Sequence, residues 1–143
     1  MHRLSVLLAA IFAGSPVAAQ TPSQVATNWG LLGTWALDCA KAPASEASQV
    51  TYVVRNGQLF LDRTFGAAGS DSNLITHGTV RVDGMIDITI VFANHNQTRQ
   101  NVLVRGPDGR IREWENRNID TGVYNVRNSR MDGVELRWWS RCR

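Results

Sequence analysis

Arg112, Trp114 and Asn116 occupy alternate positions, with Ile111, Glu113 and Glu115 interleaved among them. Alternate residues of an extended strand share a face, so this spacing predicts one mixed aromatic and cationic face. An indole beside a guanidinium can cover a planar or apolar group while the charge meets an anionic end. Trp114 with Arg112, joined by Tyr124, is therefore the expected contact set for a small apolar or amphipathic ligand. Polar residues at Arg63, Thr76 and Gln100 fall on faces expected to point inward, which suits the same kind of ligand.

Other chemistries find less support. His77 and His95 are the only histidines after the N-terminal segment, and their spacing fits no metal-ligand pattern. No Gly-x-Ser-x-Gly elbow is present. Glu113 and Glu115 share an expected strand face and could offer two carboxylates for acid–base work, but they read as a solvated outer face. The expectation is a protein that is not an enzyme, with no cofactor and no metal.

The N-terminus predicts an exported chain. Arg3 supplies a positive segment, Leu4–Ala13 an apolar one, and Val17, Ala18 and Ala19 the small residues of a cleavage site after Ala19. The apolar run is too short to span a bilayer. Residues 1–19 thus read as a secretory signal and residues 20–143 as one domain, periplasmic or secreted. Export favours pairing of the only two cysteines, Cys39 and Cys142. Basic residues crowd the C-terminal part: 98–143 hold 10 basic against 6 acidic residues, whereas 20–97 hold 4 against 6. Outside the cytoplasm nucleic acid is not the expected partner, and this surplus reads as solvated strand faces.

The elements that must position these residues are strands. Asn56-Gly57, Asp83-Gly84, Asp108-Gly109 and Asp132-Gly133 are hairpin-turn dipeptides. They separate nine expected strands, near 31–38, 49–55, 58–65, 72–82, 85–93, 98–105, 110–117, 121–127 and 134–140, one of them a fragment. Ile86, Ile88, Ile90 and Phe92 form the clearest apolar face, and Leu74, Thr76, Gly78, Val80 and Val82 a longer one. Trp35 and Trp138 read as core. Thr21 and Pro22 predict the start of a short helix ending at Trp29. A meander of eight or nine antiparallel strands removes its edges by closing into an up-and-down barrel, with a β-sandwich as the alternative.

Gly33, Thr34 and Trp35, at the start of the first strand behind a short helical lead, resemble the Gly-x-Trp signature of lipocalins and the wider calycin group. The resemblance implies a lipocalin-like barrel with Gly33 and Trp35 at its base. It also implies an arginine across that tryptophan, for which Arg137 and Arg141 are the candidates. The function implied is binding of a small apolar or amphipathic ligand at the barrel mouth. In length the chain is also similar to small bacterial protease inhibitors of lipocalin-like fold, which implies inhibition of an exported hydrolase as the alternative.

Overall fold

The computed structural model describes residues 18–143. The expected leader lies outside the described residues except for Ala18 and Ala19. Helix α1 (Pro22–Trp29) begins with a capping box: the Thr21 hydroxyl accepts from the Gln24 amide, and the Gln24 side chain accepts from the Thr21 amide. Gly30, at φ 78°, ends it in the left-handed conformation, with Leu31 N–H returning to the Ala26 carbonyl.

Eleven strands follow: β1 (Gly33–Ala36), β2 (Gln49–Arg55), β3 (Gln58–Thr64), β4 (Ser70–Val80), β5 (Ile86–Phe92), β6 (Gln97–Arg105), β7 (Ile111–Asn118), β8 (Tyr124–Arg127), β9 (Arg130–Met131), β10 (Val134–Glu135) and β11 (Ser140–Cys142). They form one antiparallel up-and-down sheet in the order β10-β9-β8-β7-β6-β5-β4-β3-β2-β1-β11. The fold is thus all-β with one short helix, as the turn dipeptides require. Eleven strands, rather than eight or nine, arise because the expected last strand breaks in two and the short β9 forms before it. Val134–Glu135 turn back onto β9, while Ser140–Cys142 cross to β1. The hydrogen-bonded ladder does not itself close, since β10 and β11 stand at its two ends. One isolated antiparallel bridge links its distant parts: Ile111 and Trp139 exchange both backbone hydrogen bonds, at 3.0 and 2.7 Å.

Two of the four turn dipeptides, Asn56-Gly57 and Asp132-Gly133, have both residues at positive φ, as two-residue type I′ hairpins require. At Asp83-Gly84 and Asp108-Gly109 only the glycine is left-handed, and the aspartate side chain accepts the amide two residues on. These are three-residue loops closed by glycine. A fifth turn, Asn128-Ser129, joins β8 to β9 without glycine.

The core is lined by Trp35, Val50, Tyr52, Leu59, Leu61, Ile75, Leu103, Ile111 and the β5 face Ile86, Ile88, Ile90 and Phe92, all buried. The β4 face differs from expectation. A register shift between Ile75 and His77 breaks the expected face in two: Asn73 and Ile75 point inward in place of Leu74 and Thr76, while Gly78 and Val80 oppose Ile88 and Ile86, and Val80 and Val82 are exposed at the turn end of the strand. Gly78 then passes under α1, where an added Cβ would stand 3.4 Å from Pro22. Trp138 is also reassigned. The turn before β11 reverses the expected parity, so Trp139 packs on the core and Trp138 lies half-buried beneath the Arg112 guanidinium.

The helix closes one end of the sheet. Trp29 donates its indole N–H to the Gly84 carbonyl at 2.8 Å, and Ser23 donates to the Gly57 carbonyl at 2.7 Å. The sulfurs of Cys39 and Cys142 are at bonding distance, with Cα atoms 5.3 Å apart, tying the segment after β1 to β11. Among the described residues no helix is long and apolar enough to cross a membrane.

Candidate functional site

Strand β7 decides what faces inward. Its pairing with β6 shifts register between Val102 and Leu103, so Glu113 opposes Leu103 while Glu115 opposes Val102. Trp114 is the extra residue of this bulge. The consequence is that Arg112 and Asn116 do not share a face, nor do Glu113 and Glu115. Arg112 stacks on Trp138 at 4.2 Å and donates to Glu135 at 2.6 Å on the outside. Glu113 turns inward, where its Oε1 accepts from Asn101 at 2.7 Å and from Asn116 at 3.1 Å. The solvated-face expectation for Glu113 is therefore overturned: it alternates with buried Ile111 and opposes buried Leu103, while the inserted Trp114 moves Glu115 to the other face.

Around Glu113 lies a polar layer above the apolar floor. Tyr52, Leu61 and Asn73 are in register across β2, β3 and β4. One step toward the open end, Val50, Arg63 and Asp71 are likewise in register, and Arg63 forms a two-pronged ion pair with Asp71. Arg63 also lies 4.6 Å over the Phe92 ring. Arg99 donates to Asn116 at 2.6 Å and to Gln97 at 3.1 Å. Desolvation pushes the Glu113 carboxyl above its ordinary value, against the lowering by the Asn116 hydrogen bond and by Arg99 and Arg63. Burial likewise pushes the Tyr52 phenol up, with Glu113 adding to the shift. The Arg63 hydrogen bond holds the Asp71 carboxyl below its usual range.

A cavity of about 410 Å³ opens beside this layer, along the seam between β7 and the segment after β1. Leu37, Met131, Val134, Leu136 and Trp139 form its apolar walls, and Arg112, Glu113, Glu135 and Arg137 supply polar groups. Glu113 sits at the inner side of this cavity and the β9–β10 arm forms its outer cover. Its volume falls in the range of about 300–1,000 Å³ usual for small-ligand sites. A larger groove of about 560 Å³ crosses β2–β4 with a mostly polar lining, in which Arg55 donates to Asp62 at 2.5 and 2.9 Å and Arg63 engages Asp71. A smaller recess of about 250 Å³ at the open end is lined by Arg63, Phe92, His95 and Arg99.

The structure separates the three expected contact residues. Arg112 lines the seam cavity, whose wall includes neither Trp114 nor Tyr124. Trp114 is half-buried at the bulge, its carbonyl accepting from the Ser129 amide at 3.0 Å. Tyr124 is 36% exposed, with the Arg127 guanidinium 4.8 Å from its ring. Of the polar residues expected inside, Arg63 is there. Thr76 is exposed at the β4 bulge, and Gln100 pairs across Thr89 on the outer face, bonded to Asp87 at 2.7 Å. Arg141 lies over Trp35, whereas Arg137 is exposed at the seam cavity.

Sequence reasoning names Glu113 but places it on the wrong face, and it misses the arm that covers it. The legible signal was the run Leu136, Trp138 and Trp139, which carries too many apolar groups for one face of one strand. Among the described residues no group of three or more histidine, cysteine, aspartate and glutamate side chains could hold a metal ion. Comparison of the chain with protein-family models, with curated proteins and with solved structures finds no match.

Proposed function

We propose that this protein is an exported, non-enzymatic binding protein of lipocalin-like type, and that the seam cavity holds a small amphipathic ligand. The observation that carries this reading is the cavity's mixed lining, five apolar residues with a few charged groups among them. Five apolar residues can cover a hydrocarbon or ring, while Arg112 and the inward carboxyl of Glu113 fix the orientation of a polar head. The barrel reading rests on the Ile111–Trp139 bridge. Through it, strands β1 to β7 and the segment Trp139–Cys142 become the staves of a cylinder, and the β9–β10 arm lies outside. The disulfide supports an oxidising location for the protein.

The test uses anilinonaphthalene sulfonate, a fluorescent probe with an apolar body and an anionic end. The folded protein should bind it saturably with one site. Leu136→Asp, which places a charge in the apolar wall, should remove that binding while the far-ultraviolet circular dichroism is retained. Unchanged probe binding by Leu136→Asp, or no saturable binding by the wild-type protein, would refute the assignment.

A further inference from the structure

At the end closed by α1, four arginines converge with little to balance them. Arg105, Arg110, Arg141 and Arg143 line a cleft of about 360 Å³ together with Trp35, Asp108, Gly109 and Ser140. The lining side chains thus carry four guanidiniums against a single carboxylate. Asp108 is itself engaged by Arg110 at 2.6 Å, within one turn.

Arg105 and Arg141 are fixed, not dangling. Arg105 stacks 4.3 Å over Trp29 and donates to the carbonyls of Trp29 at 2.9 Å and Gly30 at 3.2 Å. Arg141 stacks 4.9 Å over Trp35 and donates to the same Gly30 carbonyl. Both cations therefore sit at the C-terminal end of α1, where the helix presents orphan carbonyls and partial negative charge. That accommodation is incomplete. A guanidinium has five N–H donors, and Arg141 uses one nitrogen in this set of bonds. Desolvation, joined by repulsion from Arg141, pushes Arg105 below its ordinary value.

We propose that this cleft is a binding site for a tetrahedral oxyanion, the phosphate or sulfate group of a small monoester. Planar guanidiniums held rigidly by stacking match such a group with paired N–H···O bonds. The preorganised pair Arg105 and Arg141 forms the floor, and the exposed Arg110 and Arg143 close over the anion from the rim. An anion placed there relieves the repulsion between the two floor arginines, so binding stabilises the folded protein by mass action.

The experiment is titration of the intact protein with inorganic phosphate, then with phenyl phosphate, at fixed low ionic strength set by sodium chloride. Isothermal calorimetry and thermal unfolding are the readouts. The expected result is saturable binding of one equivalent with a rise in Tm. The rim double variant Arg110→Gln/Arg143→Gln should unfold like the wild type without phosphate, yet bind it about tenfold or more weakly. Tighter binding of phenyl phosphate would identify an organic monoester as the ligand class, and equal binding would identify the inorganic anion. Stabilisation matched by sodium chloride at equal ionic strength, or rim variants that bind as the wild type does, would overturn the proposal.

Discussion

Trp35 and Arg141 are direct cross-strand partners of β1 and β11, and the guanidinium lies 4.9 Å from the indole centroid. The indole N–H is spent on the Leu31 carbonyl at 2.8 Å, and the side chain is 1% exposed. One residue thereby joins the helix exit, the first strand and β11.

Trp35→Ala should cost about 3–5 kcal/mol, the range for deleting a fully buried large aromatic. A urea unfolding series gives the value. A loss below about 1 kcal/mol would show that Trp35 does not hold this end of the sheet together.

The Cys39–Cys142 link spans a sequence separation of 103 residues. The chain-entropy account assigns a loop of that size about 4.7 kcal/mol, and measured values reach about 2–5 kcal/mol. The double variant Cys39→Ser/Cys142→Ser should lose stability in that range, read from urea midpoints at matched slope. An unchanged midpoint would mean that the denatured chain is not constrained by the link.

Glu113 has a folded-state pKa raised above its ordinary value of 4.5, chiefly by desolvation. Above the unfolded value the denatured chain releases this proton before the folded protein does, so the folded state binds more protons. Stability from this group must therefore fall as pH rises from about 4.5 through the raised pKa. Glu113→Gln keeps an acceptor for Asn101 and Asn116 and cannot ionise. It should flatten that part of the stability–pH curve and leave the variant more stable than wild type on its alkaline side. An identical curve for the two proteins would place the carboxyl in solvent.

Asp71 gives the opposite slope. The Arg63 hydrogen bond lowers its pKa below the ordinary value of 3.8, so its stabilisation is present above that value and is lost as pH falls through the lowered one. Asp71→Asn should lower stability at neutral pH and blunt the acid limb of the curve. The check is urea unfolding at neutral pH and again below pH 3; an acid limb of unchanged steepness would count against it.

Trp114 tests the seam assignment from the other side. Being half-buried, it should cost about 1–2 kcal/mol on replacement by alanine. Binding of anilinonaphthalene sulfonate should be unchanged, because Trp114 does not line the cavity. A Trp114→Ala variant that loses the probe while keeping its stability would move the site to the bulge.

What could be read from the residues depended on how local its cause was. The turns at Asn56-Gly57 and Asp132-Gly133 announce themselves because positive φ at two successive positions demands those residue types. The helix start is equally local, a Thr-Pro pair with Gln24 three residues on. The β5 face is clean because no bulge interrupts Ile86 to Phe92. Bulges carry no such mark. Neither Thr76 nor Trp114 is a glycine, and each slips the alternation by one, which hides from a period-two reading both the inward turn of Asn73 and the separation of Glu115 from Glu113. The Asn128-Ser129 turn was equally silent, since Ser129 at φ 57° is held by tertiary contacts: it is fully buried, and its carbonyl accepts from Leu136. The path of Leu136–Trp139 was unreadable for the same reason, being set by partners far away in sequence.

The pairing of β11 with β1 has a kinetic side. Thr34 meets Cys142 and Ala36 meets Ser140, contacts between segments more than a hundred residues apart. Such distant pairings close large loops before they return any contact energy, so they form slowly. During synthesis β1 emerges early and waits, its hydrogen-bonding edge bare, until Ser140–Cys142 arrive. A molecule caught in that interval can satisfy the edge with a neighbour's strand instead. A thiol at Cys39 is equally without its partner for that time, which makes the order of delivery, and not only the final contacts, a determinant of yield.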